Sequence, residues 1–279
     1  VDVSWYSNNV SDNSMFAWNY ADDFFAGYDH GKQAGLMSVA DHHVVPGKKL
    51  WTWGTGPEGK LWEKILTETD GPYAELMIGA YSDNQPDYSW TQPYEVRTVR
   101  QTWFPIRKIA GMKAANKDAA CNLTMTEKGT AAIGFYTPAE YPDARVMLKS
   151  GEKIVFDEKI MIGPGQPYFK KDVALPSGIK EESLTLALFT SAGMELINYK
   201  PRKKPATPMP SPVTPPAAPK DIPTIEELYL TGLRLEQFYN PAFEPYPYYD
   251  EALKRDPDDY RVNTALGLLY LKRAMYQEA

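Results

Sequence analysis

The stretch VADHHVVPGKKLWTWGTGPEGKLWEKILTETDGPYAE, residues 39–75, decides how the first hundred residues are read. It sets two adjacent histidines, three tryptophans and a glutamate expected on a strand, Glu75, into one short run. All three histidines of the chain (His30, His42, His43) precede residue 44, and all seven tryptophans lie at or before Trp103. LWTWG (50–54) reads as a strand, with Trp51 and Trp53 on one face because side chains alternate. PYAELMIG (72–79) predicts a second strand, entered through the Asp70-Gly71-Pro72 turn, with Tyr73, Glu75 and Met77 on one face. PYEVRTVRQTWFPI (93–106) predicts a third and longer one. GTGPEGKLW (54–62) has the glycines of a phosphate-binding loop but neither its Lys-Ser/Thr pair nor a following helix. It reads as a hairpin loop, and no cofactor is expected.

Aromatic faces on sheets suit sugars: the apolar side of a pyranose stacks on an indole while its hydroxyls seek carboxylates and amides. Trp51, Trp53, Tyr73 and Trp90 supply the rings here, and Asp83, Asn84, Gln85 and Asp87 follow the Glu75 strand as a polar fringe. The competing reading is core packing, since each large ring buries a wide area. His42 and His43 are adjacent, so on a strand they face opposite ways and at most one looks into a given cleft. No His-x-His or His-Glu-x-x-His spacing is present, and a metal site is not expected.

Further along, AAIGFY, ARVMLK, KIVFDEK, SLTLALFT and MELINYK are short period-two runs separated by turn signals at Ser150-Gly151, PGQP and SAGM. They predict a small antiparallel sandwich of the immunoglobulin-like kind over 108–200, with Leu184, Leu186 and Leu188 on one face. It lacks histidine and tryptophan, and a spacer role is expected. RKKPATPMPSPVTPPAAPKDIP (202–223) favours extended polyproline II and reads as a semi-rigid tether over 201–223. After it the period becomes helical. Leu266, Gly267, Tyr270 and Ala279 in the run 260–279, and Tyr249, Ala252 and Pro257 before it, stand where a tetratricopeptide repeat expects them. A protein partner is expected there. The last repeat stops at Ala279 before its second helix is complete. Leu266, Leu269, Tyr270 and Met275 are therefore expected to lack partners, and the natural protein to continue with further repeats.

GYDHGKQAGLMSVADHHVVPGKKLWTWG (27–54) and LTETDGPYAELMIGAYSDNQPDYSWTQPYEVRTVRQTWFPI (66–106) together resemble the C-terminal half of an uncharacterised bacterial family, DUF5107. That resemblance covers residues 20–107 and implies a galactose-mutarotase-like antiparallel sandwich over 1–107, followed by tetratricopeptide repeats. It implies a sugar cleft on a concave sheet face. In the epimerase members of that fold a His acid and a Glu base open the sugar ring. Glu75 matches the setting of that Glu; His30, His42 and His43 all remain open as its partner. A complete sandwich of this kind is larger than the residues available before 108, so its N-terminal half is expected to lie outside this chain.

Composition bounds these readings. At 279 residues the chain has room for two to three domains. The net charge of -6 argues against nucleic acid, whose binding needs clustered cations. No run of eighteen apolar residues is available to span a membrane. One cysteine, Cys121, excludes an internal disulfide and a cysteine zinc cluster. No signal peptide and no initiator Met are present, which suggests a processed chain or a fragment, and cytoplasm and periplasm both remain open. The expectation is a mainly β chain with a helical C-terminus: a carbohydrate-recognising module joined to an interaction array. The alternatives are an enzyme at a sugar's anomeric carbon, with Glu75 as acid or base, and a non-catalytic scaffold.

Overall fold

Alternating side chains dominate the first two hundred residues, and there the backbone is strand after strand. The computed structural model describes residues 2–17, 20–80, 91, 93–126, 128–203, 211, 214–237 and 242–279. They fall into two units, Val1–Ile78 with Val99–Ala206, and Gly79–Thr98 with Thr207–Ala279.

In the first unit, β1 (Asn13–Phe16), β4 (Gly47–Thr52) and β5 (Ala74–Gly79) form a three-stranded sheet in the order β1-β4-β5. A second sheet has the order β2-β3-β6, from Phe24–Asp29, Ala34–Val39 and Thr102–Arg107. The β2–β3 hairpin turns where Asp29 Oδ1 accepts the backbone N–H groups of Gly31 at 2.7 Å and Lys32 at 2.9 Å, an Asx turn. The run 54–62, expected to be a hairpin loop, is instead the start of helix α1 (Pro57–Leu66). Pro57 sits in its first turn, where a missing N–H costs nothing, and Gly59 is required because a Cβ there would lie 1.9 Å from the Gly54 carbonyl oxygen. The long third strand is also shorter than expected. Pairing begins only at Thr102, and Tyr94 and Val96 upstream are exposed.

The second sheet is a middle layer. Ala26, Tyr28, Met37, Val39, Phe104 and Ile106 on one face pack with Ile109, Ala120 and Tyr136. Those last residues lead into two four-stranded antiparallel sheets. One has the order β12-β9-β8-β7 (Tyr168–Ala174, Thr130–Tyr136, Ala120–Met125, Ala114–Ala115). The other has the order β11-β10-β13-β14 (Lys153–Ile162, Tyr141–Ser150, Leu184–Phe189, Glu195–Tyr199). Between them lies one apolar core, with Leu123, Ile133, Phe135, Val146, Leu148, Leu184, Leu186 and Leu188 fully buried. The expected turns join β10 to β11 at Ser150-Gly151 and β13 to β14 at 191–194.

In the second unit, α2 (Ile225–Gln237), α3 (Tyr246–Arg255) and α4 (Tyr260–Lys272) enclose Leu228, Leu235, Tyr248, Tyr249, Ala252, Val262 and Leu269. Asp259 caps α4, its Oδ1 accepting from the Arg261 and Val262 N–H groups. Leu269, expected to lack partners, is buried, and Leu266 packs on the same core. Tyr270 meets Tyr246 with ring centroids 5.4 Å apart. Met275 does remain exposed, and 273–279 continue as turns. Among the described residues no helix is long and apolar enough to cross a membrane.

Candidate functional site

Three contacts fix which way the side chains of the first sheet point. Lys48 reaches from β4 to the backbone of 22–24, where its Nζ donates to the Asp22 carbonyl and, at 2.9 Å, to the Phe24 carbonyl. Leu76 of β5 lies over β2, its Cδ1 3.0 Å from where a Gly27 Cβ would stand. By alternation, Lys49 and Trp51 of β4 and Glu75 and Met77 of β5 point away from the second sheet. Opposite them on β1, Ser14 pairs with Trp51 and Phe16 with Lys49, whose Nζ lies 5.1 Å from the Phe16 ring. Trp53 stands just past the end of β4, yet its ring meets Trp51 edge-on at 5.2 Å. It also stacks on Trp62 of α1 at 4.5 Å. Glu75, Tyr73 and all three indoles are partly buried. Glu75 and the expected Trp51–Trp53 pair thus share one side of the sheet, and Trp62 joins them because α1 is a helix. Asp83, Asn84, Gln85, Asp87 and Trp90 lie outside the described residues.

The three histidines do not stand together. His30 sits in the β2–β3 turn, stacked on Trp5 at 5.2 Å and edge-on to Tyr28 at 5.1 Å. His42 and His43 follow β3 at the opposite end of the same hairpin, a strand of six residues or about 20 Å away. They were expected on a strand, facing apart. They stand instead in a turn, where successive side chains need not alternate, and their ring centroids are 3.9 Å apart.

Each of these two rings is held by a carboxylate. His42 Nδ1 lies 2.7 Å from Asp23 Oδ1, which also accepts the His42 backbone N–H at 3.0 Å. His43 Nδ1 lies 3.2 Å from Asp41 Oδ1, which accepts the His43 N–H at 2.9 Å. Burial pulls the Asp23 carboxyl upward, but its hydrogen bonds from His42 and the nearby Lys48 charge outweigh that and hold it below its ordinary value. Lys48 is buried beneath this cluster, its Nζ 3.9 Å from the centre of the Tyr20 ring. Desolvation lowers its pKa from 10.5 to about 8, against the pull of Asp22 and Asp23. Asp23, Asp41, Lys48 and Tyr20 were not singled out from the sequence; only their nearness in the chain to the histidine pair or to LWTWG hinted at them.

Two other surfaces carry exposed groups. On the middle sheet, Leu36 and Trp103 share the face opposite Met37 and Phe104, and both remain more than two-fifths exposed. On the sandwich, Asp143, Arg145, Met147, Lys159, Phe189 and Thr190 line an open groove of about 340 Å³. Arg145 is tied there to Asp157, its Nε donating at 2.8 Å. The sequence held no sign of this groove, because its residues come from three separate strands.

Residues 1–106 match the family described as a domain of unknown function, DUF5107. Residues 114–199 match a second family, the second domain of YphG-like protein. The first match coincides with the resemblance carried by residues 20–107; the second falls within the region 108–200 expected to be a small β-sandwich. The helices after 224 lie outside both matches. No solved structure matches the chain.

Proposed function

We propose that the N-terminal region is a carbohydrate-recognising module of mutarotase-like fold and that the helices form a tetratricopeptide-like array for a protein partner. The immunoglobulin-like sandwich between them serves as a second structural module. The observation that carries this reading is the shared face of the first sheet. Glu75 stands on the same side as Trp51, and the Trp51–Trp53–Trp62 group extends that side with half-exposed ring surface. A sugar ring laid on an indole there has a carboxylate within the same surface to accept its hydroxyl protons. Turnover in addition requires one of the histidines beside Glu75. An acid and a base must both reach the same sugar oxygens, and His30, His42 and His43 stand at the two ends of the β2–β3 hairpin.

Screening the chain on a glycan array, then titrating the hits while following tryptophan fluorescence, tests the proposal. Binding is expected to shift the indole emission, and Trp51→Ala or Glu75→Gln to weaken affinity about tenfold, or about 1.4 kcal/mol. A broad panel of sugars that leaves the emission unchanged would sink it. For the helical array, support comes from the close approach of α2 and α3 at Gly232, where a Cβ would lie 2.5 Å from the Tyr249 ring. Small residues that let helix pairs touch in this way are what such repeats require.

A further inference from the structure

We propose that Asp41, His42 and His43 bind one divalent transition-metal ion, with Asp23 as the outer carboxylate that orients His42. One ligand-type atom from each of the three residues lies within 4.8 Å of the other two. Around a tetrahedral ion with bonds of about 2.0–2.1 Å, neighbouring donors stand about 3.3 Å apart. The cluster therefore closes on an ion with side-chain shifts of about 1 Å. Its outer member has room to make them on breaking its contact with Asp41 Oδ1, since the His43 side chain is 79% exposed.

The hydrogen bonds prepare the donors. Asp23 Oδ1 takes both the ring Nδ1 and the backbone N–H of His42, which fixes the neutral tautomer with its proton on Nδ1 and leaves the Nε2 lone pair for a metal. A carboxylate behind a ligating imidazole is the usual outer partner in such sites, and it raises the basicity of the ring. At Asp41 the contacts of His43 fall on Oδ1, and the His43 ring must leave Oδ1 for both residues to reach one ion. Two imidazoles and one carboxylate favour zinc, cobalt, nickel or copper over magnesium or calcium, which prefer all-oxygen shells. The backbone behind the site is braced. Lys48 ties residues 22 and 24 to β4, so Asp23 is held where His42 needs it.

The test is titration of the full chain with Zn²⁺ alone by calorimetry, and with Co²⁺ followed by visible absorption. One ion per chain is expected, with the absorption of a low-coordinate cobalt site. His42→Ala and His43→Ala should each weaken binding at least tenfold. Asp23→Asn, which leaves all three ligands in place, should weaken it by about tenfold or more. His30→Ala, at the far end of the hairpin, should leave it unchanged. Circular dichroism of each variant establishes that the fold is retained. The proposal is overturned if neither ion binds saturably, or if binding survives in both His42→Ala and His43→Ala. Unchanged affinity in Asp23→Asn would remove the orienting carboxylate from it.

Discussion

Replacing Gly232 by alanine sets two well-measured effects against each other. Gly232 lies inside α2, where alanine is the better helix former by about 1 kcal/mol. A Cβ at that position, however, would stand 2.5 Å from Tyr249 Cε1 and 2.9 Å from Cδ1 and Cζ. Comfortable carbon–carbon contact is about 3.5–4.0 Å, so the ring or the helix must give by about 1 Å. The ring has little room to move. Tyr249 is fully buried, and its hydroxyl donates to Glu236 Oε2 at 3.2 Å. Glu236 is itself buried and accepts from Lys272 Nζ at 2.6 Å. Overpacking of this kind costs about 1–3 kcal/mol, before any strain on that hydrogen-bonded chain. The net expectation is a loss of up to about 2 kcal/mol in the local stability of the helices, more with the strain on that chain. Gly267→Ala in α4 is the internal control: its Cβ would meet only the Ala279 carbonyl oxygen at 3.4 Å, and a gain of about 0.5–1 kcal/mol is expected. Hydrogen exchange of the α2 and α3 amides reads this local term without assuming that the whole chain unfolds in one step. Equal or greater protection in Gly232→Ala would refute the packing argument.

Gly59→Ala should destabilise the first unit by about 2 kcal/mol or more, because the clash is with the Gly54 backbone rather than a side chain that can turn away; thermal melting checks it. Burial lowers the pKa of Lys48 to about 8, so between about pH 8 and 10.5 the unfolded chain holds the extra proton and stability rises with pH, by about 3 kcal/mol over the window. Denaturant titrations of wild type and Lys48→Met across that range should diverge accordingly, and parallel profiles would contradict the buried ammonium. Burial also pushes the Cys121 thiol up to about 12, so a disulfide reagent should label it only at the rate of unfolding, and rapid labelling of native protein at neutral pH would contradict the structure.

The parts of the fold that were legible are those where one face of a strand is buried and period two survives. ARVMLK, SLTLALFT and MELINYK became β10, β13 and β14, and their turn signals fell where the chain reverses. The helix α1 was misread because three glycines in GTGPEG drew attention to a loop, while Pro57 and Glu58, a normal helix opening, were passed over. The run 93–101 has alternating Tyr, Val and Thr but is not paired in a strand among the described residues, since propensity alone does not make one. The placement of the candidate residues divides in the same way. Trp51, Trp53 and Glu75 were legible because alternation on β4 and β5 is local. The pairing of Asp23 with His42 was not, since it depends on two chain ends meeting across the β2–β3 hairpin, which no local pattern records.

The layering explains why polar chemistry sits where it does. The middle sheet gives one face to the core shared with the sandwich, and its opposite face is partly covered by Leu76 and the rest of the first sheet. On that face the register places Leu36 and Trp103 towards the middle of the strands and the ionisable Asp29 and Arg107 only at their ends. Charged groups stand where backbone pairing ends and on outward-facing strand positions: the turn at 41–43, Lys49 and Glu75 on β4 and β5, and Arg145, Asp157 and Lys159 on β10 and β11. The first of these is chemically distinct. Lys48 enters it from the first sheet and binds backbone carbonyls, which leaves the carboxylate of Asp23 to the histidine rather than to the lysine. Had Lys48 closed an ion pair with Asp23, His42 would lose the partner that orients it. The division of labour between those two groups leaves His42 oriented by a carboxylate, as the proposed metal site requires.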